Sequence, residues 1–349
     1  MARALLTILS KMRATLTIRL PILWALAGKG WWGTGFRSGK GGYARAMTNQ
    51  RIAIIGGGLM GHGIAQAFAA AGHRVAIQEP DAERRSAISD HVRRNLQVLG
   101  EDIAVADLIE PHETLAGAVA SADIVIEAVP EDLALKQRIV AAIEAAAPPH
   151  ALLASNTSVI PITRIMEPLS DKTRAMGTHW WNPPYLIPLV EVIQTKDSSD
   201  AAITAMMGLL TSIGKTPVHV RKDVPGFIGN RLQHALWREA IALVQNGVCD
   251  AETVDAVVKA SFGRRLAVLG PLENADLVGT DLTLAVHEHV LPDLDRSPGP
   301  LPLLRDLVAS GRLGMKAGAG FRTWTDAQRE EVTTTLATHL QRLDGLERR

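Results

Sequence analysis

His179 closes the run Ala175-Met-Gly-Thr-His179. Glu191 follows twelve residues later inside Leu189-Val-Glu-Val-Ile193, with Trp180-Trp-Asn-Pro-Pro184 between them. An imidazole titrates near neutral pH, so it can take a proton from a substrate and return it. A carboxylate behind it fixes the tautomer and stabilises the imidazolium that forms. Both residues lie at or in candidate strands, and the Pro-Pro turn can reverse the chain so that the two side chains meet. Each also has a plainer reading, as a histidine that merely ends a strand and an acid buried in an apolar run. The acid argues against the plainer reading, because a buried carboxylate without a partner is costly and His179 is the obvious partner. Ser158 and Asn230, in separate polar clusters, are candidates to hold a reacting oxygen.

A base of this kind suits oxidation of an alcohol if something nearby takes the hydride. Residues 52–61 read Ile-Ala-Ile-Ile-Gly-Gly-Gly-Leu-Met-Gly. The β-branched run suits a buried parallel strand. Gly56 allows a tight turn, Gly58 lets a pyrophosphate approach the backbone, and Gly61 lets the next helix pack on the strand. Leu59 and Met60 begin that helix, whose N-terminal amides and dipole face the phosphates. Glu79 comes 18 residues after Gly61, close to the roughly 20 expected of the acid that accepts from the adenosine ribose. Such an acid disfavours the extra phosphate of NADP, although Arg84 and Arg85 close behind weaken that discrimination. A glycine-rich turn that binds nothing is the bland alternative. Strand, turn, helix, strand and acid in this order point instead to NAD.

The positioning elements alternate. Strands are expected at Arg51–Ile55, Arg74–Gln78, Ile124–Glu127, Leu152–Ser155, Ala175–His179, Leu189–Val192 and Pro217–Val220. Helices are expected at about Leu59 to Ala71, Ala82–Leu99, Leu133–Ala146 and Ala201–Ile213. This is the pattern of an α/β Rossmann domain with a mostly parallel, doubly wound sheet. After Pro225 strand signals stop. Pro225–Asn246, Ala251–Ala260, Leu282–Val290, Leu301–Val308 and Asp326–Leu346 read as helices. The expected division is a Rossmann domain over 47–222 and an all-α C-terminal domain over 223–349.

The chain has 349 residues, 47% hydrophobic and 21% charged, which suits a globular protein of about two domains. Its single cysteine, Cys249, excludes an intramolecular disulfide framework and fits a reducing, cytoplasmic setting. Residues 1–46 hold eight of the 37 Lys and Arg and no acid, so the remainder sets 29 basic against 36 acidic residues, a net of −7. Nucleic acid and anionic membrane are therefore not expected partners. Residues 1–46 read either as a targeting leader or as sequence upstream of a true start at Met47, and as poorly ordered in both cases. Their longest uncharged stretch is far too short to span a bilayer.

Taken together these motifs resemble the 3-hydroxyacyl-CoA dehydrogenase family over nearly all of residues 49–325. The matching segments are Gly56-Gly-Gly-Leu-Met-Gly61, Ile126-Glu-Ala-Val-Pro-Glu131, Ala154-Ser-Asn-Thr-Ser158, His179 with Asn182-Pro183, Leu189-Val-Glu191, Asp223-Val-Pro-Gly-Phe-Ile-Gly-Asn230-Arg, Gly270-Pro271 and Gly314-Met-Lys316-Ala-Gly-Ala-Gly-Phe321. The resemblance implies NAD-dependent oxidation of an L-3-hydroxy group, with His179 as base, Glu191 as its orienting acid and Ser158 and Asn230 on the substrate oxygen. It implies NAD contacts from Glu79, Glu131, Lys136, Ser158, Asn182 and Lys316, and a homodimer formed through the helical domain. Read on their own, Lys136 is a solvated residue of an amphipathic helix and Lys316 a loop charge. Two departures stand out. The lysine-rich hairpin usual after the second strand is replaced by a shorter, arginine-rich Pro80–Ser121. The loop before Gly270-Pro271 carries Arg264 and Arg265. His179-Trp-Trp-Asn-Pro-Pro-Tyr185 and this Arg-bearing loop look more like the branch holding L-gulonate 3-dehydrogenase, L-carnitine dehydrogenase and a pyridine-aldehyde dehydrogenase. Arg264 or Arg265 is then a candidate grip on a small free acid. A surface arginine pair is the alternative.

Overall fold

A computed structural model describes residues 50–347. The leader expectation for residues 1–46 lies outside the described residues. Eight strands form one sheet: β1 (Arg51–Ile55), β2 (Arg74–Gln78), β3 (Ile109–His112), β4 (Ile124–Glu127), β5 (Leu152–Ser155), β6 (Ala175–Trp180), β7 (Leu189–Ile193) and β8 (Thr216–Val220), in the order β3-β2-β1-β4-β5-β6-β7-β8. Every pairing is parallel except β6–β7. Between them run α1 (Leu59–Ala70), α2 (Ala82–Leu99), α3 (Leu115–Val119), α4 (Leu133–Ala146), α5 (Ile162–Ile165) and α6 (Asp200–Ser212). The Rossmann-like α/β architecture expected from the strand and helix alternation is what the chain adopts.

Strand periodicity explains the two faces of the sheet. On β1, Ile52 and Ile54 join one buried cluster with Phe68 of α1 and Ile88 of α2, while Ala53 and Ile55 join another with Val140 and Ile143 of α4. From β1 the chain moves outward to β2 and β3, then returns to β4 on the other side of β1. This reversal opens a crevice at the carboxyl ends of β1 and β4, where open α/β sheets bind ligands.

Sequence reading missed β3 and α3. Ile109-Glu-Pro-His112 is short, alternates weakly and contains a proline, which an edge strand tolerates. It also missed α9 (Pro271–Val278), whose eight residues are too few to establish a helical period.

Past β8 the described chain is helical, with α7 (Gly229–Gln245), α8 (Ala251–Ala260), α9, α10 (Thr280–Val290), α11 (Pro302–Ala309) and α12 (Asp326–Glu347). The helix expected from Pro225 begins only at Gly229. Gly226 and Phe227 take positive φ (74° and 51°) and turn the chain first. Phe227 adopts this backbone at a cost of about 1–3 kcal/mol, offset by burying its ring against His179. Asp223 fixes the approach to the turn by accepting from Ile162 N (3.1 Å), Thr163 N (2.7 Å) and Thr163 Oγ1 (2.7 Å) at the start of α5.

Candidate active site

His179 and Glu191 are direct partners across the antiparallel β6–β7 ladder. Directly opposed residues on one face have Cβ atoms about 4.5–5.5 Å apart, so the register alone brings imidazole and carboxylate together. His179 Nδ1 donates to Glu191 Oε2 at 2.7 Å. A carboxylate only accepts, so Nδ1 carries the hydrogen, and in the neutral imidazole Nε2 keeps its lone pair. The second carboxylate oxygen, Oε1, accepts from Ile228 N (2.9 Å) and Gly229 N (3.0 Å), the amides presented by the Gly226-Phe227 turn. Burial pushes the Glu191 carboxyl up, but the bonds from His179, Gly229 and Ile228 outweigh it and hold the group below the usual glutamate range. The imidazole lies between Trp181 and Phe227, at 5.2 and 5.5 Å between ring centroids.

The glycine turn is built as a phosphate cradle. Gly56 (φ 107°) tucks under β4, where a Cβ would come within 2.7 Å of the Ala128 carbonyl, and a Cβ on Gly61 would collide with the Gly56 carbonyl oxygen. Above Gly58 nothing lies within 4 Å. α1 starts there without a side-chain cap and without an acid in its first turn, so its leading amides and dipole are free for an anion. Leu59 is exposed and Met60 half-buried beside the turn. Glu79 is buried at the end of β2. Its Oε2 accepts from Gly57 N (3.2 Å) and its Oε1 from Asp81 N (3.2 Å), while Arg84 pairs with it at 3.3 Å. These residues fit a dinucleotide: an open anion site, close backbone access, and a carboxylate beside the turn.

Ser158 and Asn230 are brought together. Asn230 Nδ2 donates to the Ser158 carbonyl at 2.8 Å, joining the loop after β5 to the first turn of α7. Glu131 organises the same loop. Its Oε1 accepts from the Thr157 hydroxyl, from Ser158 N (3.1 Å) and from Val159 N (3.2 Å). Burial raises the Glu131 carboxyl, yet the Thr157, Lys136, Val159 and Ser158 contacts outweigh it and lower the group.

Lys136 corrects its plain reading as a solvated helix residue. It is 0% exposed. Its Nζ donates to Glu127 Oε1 (2.7 Å) and Val129 O (3.1 Å) and pairs with Glu131 Oε2 at 3.4 Å. Glu127 also takes Val129 N (2.7 Å) and the Ser155 hydroxyl (2.5 Å). The sequence reading quoted Glu127, Ser155 and Thr157 inside its motifs but gave none of them a role of its own. The signal that could have given Glu127 a role was an acid ending an apolar strand, the same sign that singled out Glu191. Asn156 was also missed as a structural tie: its side-chain oxygen accepts from Trp180 N at 2.9 Å, bridging β5 to β6.

Asn182 is exposed on the turn after β6, and Lys316 is exposed in the 3-10 turn Met315–Ala317. Arg264 and Arg265 are exposed after α8. Among the described residues no side-chain hydrogen bond or ion pair ties these four to the His179 group.

Comparison with known proteins gives concordant matches. A family model described as 3-hydroxyacyl-CoA dehydrogenase, NAD binding domain, matches residues 51–224, and one described as 3-hydroxyacyl-CoA dehydrogenase, C-terminal domain, matches residues 226–324. The chain is 34% identical over 296 residues to the 5-formyl-3-hydroxy-2-methylpyridine 4-carboxylate 5-dehydrogenase of Mesorhizobium japonicum, covering 83% of this chain and 96% of the relative. It is 37% identical over 284 residues to a probable 3-hydroxybutyryl-CoA dehydrogenase of Bacillus subtilis, covering 79% and 97%. A crystal structure of 5-formyl-3-hydroxy-2-methylpyridine 4-carboxylic acid 5-dehydrogenase, described as an NAD+-dependent dismutase, superposes with a TM-score of 0.78 at 32% identity, over 84% of this chain and 97% of that one.

Proposed function

The chain belongs to the 3-hydroxyacyl-CoA dehydrogenase family of NAD-dependent oxidoreductases, and from that premise we propose that it oxidises the L-3-hydroxy group of a short 3-hydroxyacyl-CoA to the ketone, reversibly. The observation that carries the reading is the 2.7 Å bond from His179 Nδ1 to Glu191, which leaves Nε2 as the base at the ligand-binding end of the sheet. NAD supplies, when bound, a hydride acceptor at C4 of its nicotinamide. His179 Nε2 takes the hydroxyl proton as the C–H electron pair departs, and the C–O bond becomes a carbonyl. Glu191 stabilises the imidazolium that results. The Ser158 hydroxyl and the remaining Asn230 amide hydrogen hold the oxygen through the change. The Gly56, Gly58 and Gly61 turn, Glu79, Glu131, Asn182 and Lys316 are assigned to the cofactor. Lys136 is assigned to it through Glu131. The test is NADH formation at 340 nm with 3-hydroxybutyryl-CoA; absence of turnover with hydroxyacyl-CoAs refutes the substrate.

A second reading has its own support. Arg264 and Arg265 are exposed and make no ion pair among the described residues, and the relative from Mesorhizobium is named for a pyridine carboxylate. A free acid gripped by two parallel hydrogen bonds from Arg265 fits both facts. Charge reversal at Arg265 separates the readings: it should abolish turnover of a free acid such as gulonate or an aromatic aldehyde acid, while unchanged turnover excludes this grip.

The helical half leaves apolar side chains uncovered: Leu232 and Leu236 on α7, and Leu282, Val286 and Val290 one turn apart on α10. A stripe of apolar side chains exposed along one helix face, as on α10, suits an interface. We assign it to a second copy of the chain, which sedimentation at micromolar concentration should show as a dimer. Among the described residues no helix is long and apolar enough to cross a membrane; the cytoplasm is the proposed location, on the single cysteine and its reducing setting.

A further inference from the structure

Trp181 follows β6 at the end of the strand where ligands gather. Strand alternation puts it on the same side as His179, while Trp180 turns the other way and packs on Phe68 of α1, with 5.7 Å between ring centroids. The Trp181 indole stands 5.2 Å from the His179 ring at a tilt of 54°. Its far edge lies against the first residue of α7, where a Cβ on Gly229 would collide with it. Gly229 is also one of the two amides that hold Glu191. The indole is thus wedged between the base and the helix that secures the orienting acid. It has no room to swing aside without disturbing one of them. Its Nε1–H is buried and has no hydrogen-bond partner among the described residues, although a buried indole N–H usually finds one.

We infer that Trp181 is a specificity-determining wall of the substrate site. It shuts out extended chains beside the reacting carbon and admits short or flat substituents, to which it offers a ring face. The inference rests on the reading of His179 as the base of an alcohol oxidation. It does not depend on whether the substrate is a thioester or a free acid.

The test is kcat/KM of the full chain with NAD for 3-hydroxybutyryl-, 3-hydroxyoctanoyl- and 3-hydroxydodecanoyl-CoA, in wild type, Trp181→Phe and Trp181→Ala. The wild type should prefer the shortest substrate. Trp181→Ala should lower the short-to-long ratio by about tenfold or more, the scale on which pocket size discriminates chain length, with Trp181→Phe between. A general loosening of the site would lower all three values together and leave the ratio unchanged, and an unchanged ratio overturns the wall. Where Trp181→Ala does not fold, Trp181→Phe carries the comparison. If none of the proteins turns over a thioester, the thioester reading fails by itself. The wall is then read by calorimetric binding of 3-oxobutanoate and 3-oxododecanoate to the NADH complex, where the same preference in all variants overturns it.

Discussion

His179 and Glu191 face each other in the one antiparallel pairing of the described sheet. Parallel strands could not place residues twelve apart in direct register with so short a connection. The reversal of β7 therefore builds the dyad, and the amides of Ile228 and Gly229 lock its far side.

Removing the base should stop the chemistry and spare the cofactor. His179→Ala is expected to lower kcat by about 10²–10⁴-fold, with NAD affinity by titration within twofold (roughly) of wild type. Glu191→Gln should also be severe. Its amide NH₂ would face Nδ1, force the other tautomer and put a hydrogen on Nε2, which then cannot accept a proton. Near-normal turnover of either variant is incompatible with the dyad as base.

Glu79 should act on binding rather than on chemistry. Glu79→Ala removes the acceptor of Gly57 N and the partner of Arg84. Loss of hydrogen bonds to a charged group is worth about 1.5–3 kcal/mol, so the Kd for NAD should rise by roughly tenfold or more while kcat at saturation changes little. An unaltered Kd would remove Glu79 from the cofactor site.

Lys136 should matter to stability. Breaking a buried ion pair by removing one partner costs about 3–5 kcal/mol, and Lys136→Met leaves Glu127 charged and unpaired among buried groups. Urea unfolding should show that loss, and the double change Lys136→Met with Glu127→Gln should recover part of it. A destabilisation below about 1 kcal/mol would mean that the pair is solvated in practice.

The acid limb of stability should carry the signature of Glu131. Its carboxyl is lowered in the folded protein, so the stabilisation is fully present above the unfolded glutamate value and is lost as pH falls through the lower folded value. Unfolding midpoints measured between about pH 5 and 3 should fall less steeply in Glu131→Gln than in wild type. Parallel slopes would show that the folded structure does not favour the Glu131 carboxylate.

The architecture was largely legible in the chain, because local pattern and burial fix it. The alternation at Ile52–Ile55, the glycines at 56, 58 and 61 and the acid at 79 each obey a spacing set by backbone geometry. The dyad was legible too, since a carboxylate inside Leu-Val-Glu-Val-Ile has to be paired. Lys136 was not. Its helix spacing looks amphipathic, and only the packing of α4 against the ends of β4 and β5 shows that its amine is enclosed by Glu127, Glu131 and Val129. The turn at Gly226-Phe227 was hidden for a similar reason. Helical periodicity runs on through Pro225–Asn230, while the need of a buried carboxylate for two amides bends the chain away from helix.

Sequence by itself determined the dinucleotide turn, the sheet-then-helix order and the pairing of His179 with Glu191, because each follows from short-range sterics or from the cost of a lone buried charge. Tertiary structure alone decided which oxygen each buried amine and amide would meet, and that an indole would stand against the imidazole. The bonds from Ile228 to Glu191 and from Asn230 to Ser158 span 37 and 72 residues, and no local preference along the chain encodes the distance between such segments.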